Sequence, residues 1–468
     1  ISLIESIVIC LISYILALFI VNDLSYTPIA NWVDADIRLS QYKGLILLTA
    51  LIAILTGCLA GLYPAIRSTS YAPALVLKGS FGLSPKGKKV RVALIGFQYT
   101  VSIALIIVTL FMGLQNHFMT SSEQLGFNKD QVAIVNLTPE IYAKHKPQYI
   151  QKLKDYPGIE DVAFSVYELS KEDDMIDLEY ARHEDKDVFF KVFYASENFL
   201  SVMDIQVEEG RDFTREDLNK AQSDYIINPA AERDFHLHPG DRFNDRTVLG
   251  VSKDFRFNSC RIASSPFVFA LNNDIPNPKL VSYIRFNSKT NLQEAVAHVR
   301  ETLKEIDPTF PFEISFYNTI LNNLYQKEQT LGKLISLFGI MAILISIVGV
   351  FGLVLFETQY RRKEIGIRKI NGATTGQILL MFNKTYIRIV SVCFIISIPI
   401  AWMGTQQWLE NFAYKTPLHL WVFIVAFLII LSVTIGTVTF RNWQAANENP
   451  VNSVKSCLLY TSPSPRDG

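Results

Sequence analysis

"YRRKEIGIRKINGATTGQIL", Tyr360–Leu379, follows directly on a run of apolar residues. Arg361, Arg362 and Lys363 stand together where that run stops, and the chain then resumes a helical rhythm. Cations massed at the end of an apolar stretch hold a membrane span at the cytoplasmic face, because Lys and Arg in short loops set orientation. If the reading is right, the rest of the chain must alternate in charge around further spans.

It does. The chain has 468 residues, 49% of them hydrophobic, with 31 Phe, which is unusually apolar for a soluble protein of this length. Six stretches are long enough to cross about 30 Å of hydrocarbon at about 1.5 Å per residue. They run over 3–21, 45–64, 93–113, 334–356, 387–405 and 420–440. Segment 65–92 carries Arg67, Lys78, Lys86, Lys88, Lys89 and Arg91 and no acid. Segment 357–386 carries Arg361, Arg362, Lys363, Arg368, Lys369 and Lys384 against Glu357 and Glu364. Loop 22–44 sets Asp23, Asp34 and Asp36 against Arg38 and Lys43, and 406–419 holds only Glu410 and Lys415. Basic and acidic or neutral loops alternate, which places 65–92, 357–386 and 441 onward in the cytoplasm and 115–330 outside. A net charge of zero conceals the segregation: residues 115–330 carry 35 acids against 24 bases, leaving 9 against 20 elsewhere.

The expected fold is an α-helical integral membrane protein with six transmembrane helices and one mixed α/β extracytoplasmic domain on a helical stalk. Within 115–330, "DQVAIVNL", "DVFFKVFYA", "DRTVLGVSKDF", "PFVFAL" and "LVSYIRF" read as strands. "PQYIQKLKDY" and "NLQEAVAHVRETLKEID" read as helices, the second capped by Asn291. "GLQNHFMTSSEQLG" and "TILNNLYQKEQTLGKLISLF" keep helical period beyond spans three and four and form the stalk. Span, Arg, linker and "PALVLK" (Pro73–Lys78) is echoed by span, Arg441, linker and "PVNSVK" (Pro450–Lys455), the mark of an internal repeat. Ile1 without Met, inside an apolar run, reads as the start of a fragment. The tail 456–468, ending "CLLYTSPSPRDG", reads as non-native.

Chemistry is sparse. "GLSPKGKK", Gly82–Lys89, has the G-x-x-x-x-G-K core of a phosphate loop, but Lys89 stands where Ser or Thr would hold Mg²⁺ and no strand precedes it. It reads as a basic linker, with no ATP site and no cofactor. Cys10, Cys58, Cys260, Cys393 and Cys457 form neither a disulfide framework nor metal-ligand spacing. His145, His183, His236 and His238 are scattered, and "HLH" at 236–238 reads as surface. The spans bury no Asp or Glu of the kind that an ion-coupled carrier needs. In the opening stretch, Glu364, Ile365, Ile367, Arg368 and Ile370 fit a short amphipathic helix, Asn371-Gly372-Ala373 a turn, and Thr374 or Thr375 the cap of a second helix. The result is a helical elbow at the cytoplasmic face, or else an interfacial anchor that fixes span depth.

"RRKEIGIRKINGATTGQIL" resembles the cytoplasmic signature of FtsX-like and MacB-like ABC transporter permeases. "AGLYPAIRSTSYAPALVLKG", "RVALIGFQYTVSIALIIVTL", "LGVSKDFRFNS" and "FGIMAILISIVGVFGLVLFETQYRRKEIG" resemble the same family, in the expected order over residues 1–455. The likeness is to long, duplicated permeases of Bacteroidota, whose halves each carry an external domain and a copy of the signature. It implies that 1–64 are the last spans of a first half, 65–92 a basic linker, 93–114 a span, 115–330 a MacB-like periplasmic domain, and 331–455 an FtsX-like permease domain with coupling elbow 357–386. The family is understood as a set of non-catalytic mechanotransmitters in the bacterial inner membrane, driven by a cytoplasmic ATPase dimer, for efflux or lipoprotein and peptide export. Partners implied are that ATPase, a second permease copy, a periplasmic adaptor and the lipid bilayer, with no nucleic acid. Carried over by position, Glu364, Ile365, Gly366, Arg368, Lys369, Gly372 and Ala373 would couple to the ATPase, while Asn371 departs from a more usual aliphatic residue. The rival reading is a membrane-anchored sensor whose external domain binds a ligand.

Overall fold

A computed structural model describes residues 2–24, 42–69, 85–121, 125–170, 177–220, 222–256, 259–271 and 280–447. Among the described residues, six helices are long and apolar enough to cross a membrane. They are α1 (Ser2–Leu24), α2 (Lys43–Thr69), α3 (Pro85–Thr120), α9 (Gln326–Tyr360), α11 (Thr375–Leu409) and α12 (Leu420–Asn447). The chain is thus a multi-pass helical membrane protein with a mixed α/β domain. It divides into two compact units, one from the described parts of 1–111, 330–405 and 419–468, the other from Met112–Gln329 and Gln406–Leu418.

In the membrane unit, polar and small residues do what hydrophobicity cannot, since lipid is as apolar as leucine. α1 and α2 form a hairpin in which Gly57 and Gly61, one helical turn apart, press on α1. A Cβ on Gly57 would lie 2.9 Å from the Ile7 Cα, and one on Gly61 would lie 2.9 Å from the Ser6 Cβ. The Tyr14 hydroxyl donates to the Ile46 carbonyl (2.6 Å). Glu5 lies in the first turn of α1 and is exposed. The other four helices are tied by side-chain pairs: Tyr99 with Thr434 (2.9 Å), Ser102 with Ser346 (3.0 Å), Thr358 with Asn442 (2.7 Å) and Asn383 with Thr439 (2.9 Å). Gly349 leaves room for Gln98, whose Oε1 would stand 2.9 Å from any Cβ there. Their outer faces, such as Leu337, Ile340, Leu344 and Val348 on α9, are exposed and apolar, as a surface against lipid must be.

Two expectations change in detail. Residues 85–92, read as linker, are already the first turns of α3, so Gly87-Lys88 sits in a helix and not in a phosphate-binding loop. The segment leading into span four is broken: α8 (Tyr317–Leu324) ends at Tyr325 before α9 begins. The "PALVLK" and "PVNSVK" echo and the tail 456–468 lie outside the described residues.

The second unit is built on an eleven-stranded mixed sheet among the described residues, in the order β11-β1-β10-β2-β4-β9-β6-β8-β5, with β3 on β4 and β7 on β8. The strands are β1 (Val132–Leu137), β2 (Ile159–Ser165), β3 (Asp177–His183), β4 (Lys186–Ala195), β5 (Val207–Gly210), β6 (Tyr225–Ile227), β7 (Arg242–Phe243), β8 (Arg246–Ser252), β9 (Phe267–Leu271), β10 (Leu280–Phe286) and β11 (Ile314–Phe316). Both faces are covered, which is why "PFVFAL" is apolar throughout instead of alternating. Phe267 and Phe269 join Phe193, Phe199 and Tyr283 on one face; Val268 and Ala270 join Val192, Tyr225 and Phe243 on the other. Along β1 and β10, Ala133, Val135 and Ile284 turn instead to Tyr149, Leu153, Val299 and Leu303 of α4 (Pro139–Lys154) and α7 (Leu292–Ile306). Asn291 caps α7 through the Gln293 amide (3.1 Å). α4 starts eight residues before "PQYIQKLKDY", at Pro139, because Thr138 caps it and Pro fits the first turn. Gln406–Leu418 belongs to this unit: Gln115 donates to the Tyr414 carbonyl (3.0 Å) and accepts from the Thr416 amide (2.8 Å). Burial pushes the Cys260 thiol up, and Tyr325 lies against it at 3.2 Å.

One buried carboxylate carries much local charge. Asp217 accepts from Arg211 (2.7 and 2.9 Å), from the Thr214 amide (2.9 Å) and from the Thr214 hydroxyl (2.8 Å). The Arg211 guanidinium above all holds it far below the usual carboxylate range. A depressed folded value stabilises above the unfolded value of about 3.9 and is lost as pH falls through the folded one. Asp217→Asn should therefore cost about 1–2 kcal/mol near neutrality, discounting the half-exposed cations. In scanning calorimetry of the detergent-solubilised protein, the gap from the unmodified chain should narrow steadily below about pH 4; a gap independent of pH would refute the assignment. In the membrane unit, a Cβ at Gly57 would lie 2.9 Å from the Ile7 Cα, so Gly57→Val should part α1 from α2 and lower the melting temperature of the detergent-solubilised protein by several degrees; an unchanged melt would refute the seam.

Candidate functional site

α9 ends at Tyr360, where Arg361 leaves helical geometry (φ −92°, ψ 10°) and the chain re-enters a helix, α10 (Arg362–Ile370). What stops the helix here is a knot of polar groups at the end of an apolar rod. Glu357 accepts from Arg361 Nη2 (3.0 Å) through one oxygen and from the Tyr386 hydroxyl of α11 (3.2 Å) through the other. Arg361 reaches on to Glu364 (4.0 Å) and lies over the Phe382 ring (5.8 Å). Glu364 in turn accepts two bonds from Arg368 (3.2 and 2.9 Å). Acid and base thus alternate one helical turn apart, Glu357, Arg361, Glu364 and Arg368, each spacing favourable on a helix.

α10 has two characters. Ile365 and Gly366 are buried; Ile367, Arg368 and Ile370 are exposed. Two exposed isoleucines flanking an arginine form a small apolar and cationic surface. Its end has a full closing motif. The Gly372 amide donates to the Lys369 carbonyl (3.0 Å) and the Ala373 amide to the Arg368 carbonyl (2.9 Å). This pair of bonds needs a left-handed residue between them, and Gly372 supplies φ +88°. Nothing lies within 4 Å of a Cβ at Gly372, so dihedral freedom, not space, is the reason for glycine. The next helix starts at once. Gln377 N donates to the Thr374 hydroxyl (3.4 Å), and the Thr374 amide donates to Gln377 Oε1 (3.2 Å), a reciprocal cap. Ile378 and Phe382 then bury into the unit while Leu380 stays exposed.

Of the residues singled out by sequence, Glu364 and Arg368 meet as an ion pair, Ile365 and Gly366 turn inward, Lys369 is half-buried, and Gly372 and Ala373 form the turn. Glu357 and Tyr386 were not singled out. The available signal was an acid lying at the end of an otherwise apolar run, opposite a tyrosine at the start of the next. The elbow offers a compact, hydrogen-bonded surface between two long helices.

Six long apolar helices and a cationic elbow define a multi-pass membrane protein, and parts of the chain are similar to FtsX-like and MacB-like ABC transporter permeases. Residues 336–450 match the family model described as FtsX-like permease C-terminal. The macrolide export ATP-binding/permease protein MacB of Aggregatibacter actinomycetemcomitans is 25% identical over 212 residues, 42% of this chain and 32% of that protein. The protein of the same name in Neisseria gonorrhoeae is 25% identical over 223 residues, 45% of this chain and 34% of that protein. The chain therefore spans about a third of the length of these relatives. Among solved structures, the periplasmic region of MacB from Actinobacillus actinomycetemcomitans aligns at 14% identity and TM-score 0.32, over 44% of this chain and 97% of that one. The extracellular domain of the transporter YknZ from Gram-positive bacteria aligns at 14% identity and TM-score 0.29, over 38% and 95%. These scores are low, and the fold stands on the strand order and helices described above.

Gly372→Ala should strain the turn by about 1 kcal/mol, since a Cβ is disfavoured at positive φ. Amide hydrogen exchange over residues 370–377 should quicken in the variant while α12 is unchanged. Equal protection in both proteins would refute the closing motif.

Proposed function

We propose that this chain is the non-catalytic permease subunit of a mechanotransmission ABC complex in a bacterial inner membrane. A separate cytoplasmic ATPase dimer supplies the work, and the α/β unit, in the periplasm, delivers it to a substrate of the efflux or lipoprotein and peptide export class. A second permease copy and a periplasmic adaptor complete the assembly. The observation that carries this reading is the elbow. An ATPase that closes on nucleotide needs a stiff handle, and α10 is one: held at its start by the Glu357–Arg361–Tyr386 knot, closed at its end by Gly372, and joined directly to the long α11. A loop in its place would absorb displacement.

Two further features support the direction of transmission. α3 runs unbroken from Pro85 to Thr120 and α9 from Gln326 to Tyr360, so each continues past the length that hydrocarbon requires. The charge pattern sets the basic elbow and the acidic 115–330 on opposite sides. In this scheme Ile367, Arg368 and Ile370 meet the ATPase, Glu364 fixes the Arg368 guanidinium, and Lys369, Ile365, Gly366 and Ala373 hold the elbow in shape.

The test is reconstitution with the ATPase that co-purifies from native membranes. Arg368→Glu and Ile367→Asp should lower permease-stimulated ATP hydrolysis at least tenfold without changing the amount of folded protein. Single-cysteine variants at Asn371 and at Glu184 should be labelled by a membrane-impermeant thiol reagent from opposite sides of intact cells. Labelling from one side, or hydrolysis indifferent to both substitutions, would overturn the reading.

A further inference from the structure

The "HLH" turn is not idle surface. We propose that Glu209, Glu232 and His238 form a binding site for one divalent transition-metal ion of the zinc class. One ligand atom from each, two carboxylate oxygens and an imidazole nitrogen, lie within 4.8 Å of one another. Metal–ligand bonds of about 2.0–2.2 Å place tetrahedral ligands roughly 3.3–3.6 Å apart. His238 Nδ1 already stands 3.6 Å from Glu232 Oε1, a separation that two ligands of one metal would keep.

Three separate pieces of backbone bring these atoms together, and each is fixed. Glu209 lies on β5, its register set opposite Val251 of β8. Glu232 lies on α6 (Pro229–Phe235), whose start is capped by Asn228 through the Ala231 amide (2.9 Å). His236 then takes a left-handed conformation (φ 53°), which reverses the chain after α6. Leu237 plugs into the core, and the His238 amide is held by Asp241 Oδ2 (2.8 Å). The reversal brings His238 back beside Glu232, six residues earlier. Sequence spacing hides the site because Glu209 comes from a different strand.

Charge and donor type choose the ligand. Two carboxylates set close together repel unless a cation lies between them. The nearby guanidinium groups are engaged elsewhere, Arg211 on Asp217 (2.7 Å) and Arg233 on Asp234 (2.9 Å). One nitrogen with two oxygens suits a borderline ion such as Zn²⁺, Co²⁺ or Ni²⁺ over Ca²⁺ or Mg²⁺, which favour all-oxygen shells. Glu209 and His238 are exposed, so water completes the coordination and the ion exchanges freely. Bound there, it ties β5, α6 and the following turn into one edge of the sheet. The inference is independent of the permease reading.

Isothermal titration of the full chain in detergent with zinc chloride tests it, with His238→Ala, Glu209→Gln and the control His145→Ala alongside. Equivalent measurements with calcium chloride report the selectivity. The unmodified chain and the His145 control should bind zinc and melt several degrees higher with it; His238→Ala and Glu209→Gln should each lose one equivalent and that shift, with unchanged circular dichroism. Calcium should produce neither effect. Zinc stoichiometry and melting shift identical in all four proteins, or a calcium response matching that of zinc, would overturn the site.

Discussion

The carboxylate of Glu357 is where the membrane unit and its elbow meet. It sits at the end of a long apolar helix, where an unpaired charge is costly, and both its oxygens are engaged, by Arg361 of the same strand of chain and by Tyr386 of the next long helix. That arrangement ties the end of α9 to α11 at the point where α10 departs. Arg361 answers Glu357 and Glu364 together, so the helix break and the amphipathic turn after it are parts of one ion-pair ladder. Without that knot, the basic run would mark only an exit from hydrocarbon, as any cluster of cations does.

The two units solve the same problem of specificity by opposite means. Within the membrane, apolar surface earns nothing by facing another helix, so position is set by close approach at Gly57, Gly61 and Gly349 and by pairs such as Ser102–Ser346 and Thr358–Asn442. In the α/β unit, water is the alternative, and aromatic burial decides. Phe193, Phe199, Phe267 and Phe269 meet at ring-centroid distances of 5.1 to 6.2 Å on one face of the sheet. Polar groups in this unit close helix ends and pair inside it: caps at Thr138, Asn228 and Asn291, the Asp217 cluster and the buried Tyr149–Ser282 pair.

Much of this was legible in residue order. Length and hydropathy located each of the six long apolar helices among the described residues, since a span needs a fixed number of apolar residues whatever its neighbours are. The strands Val132–Leu137, Lys186–Ala195, Arg246–Ser252, Phe267–Leu271 and Leu280–Phe286 were legible for a similar reason: β-branched and aromatic runs between turn residues are local signals. Less so were short or polar strands such as Val207–Gly210 and Tyr225–Ile227, whose identity depends on pairing partners. At the elbow, Gly372 was legible as the turn and the cap as Thr374 or Thr375, because their roles are local backbone chemistry; the structure puts the cap on Thr374. Glu357 and Tyr386 were not, because a contact across 29 positions leaves no trace in spacing.

The sequence by itself determined the membrane class of this protein, the alternation of its loops, the position of the elbow and the presence of a mixed α/β domain. Each of these follows from interactions with solvent, lipid or the next turn of chain. Only the tertiary structure decided the strand order, the partners of Glu357, the Gly57–Gly61 seam and the meeting of Glu209 with Glu232 and His238. Those are contacts between residues far apart in sequence, and their energies exist only once the intervening chain has folded back to bring them together.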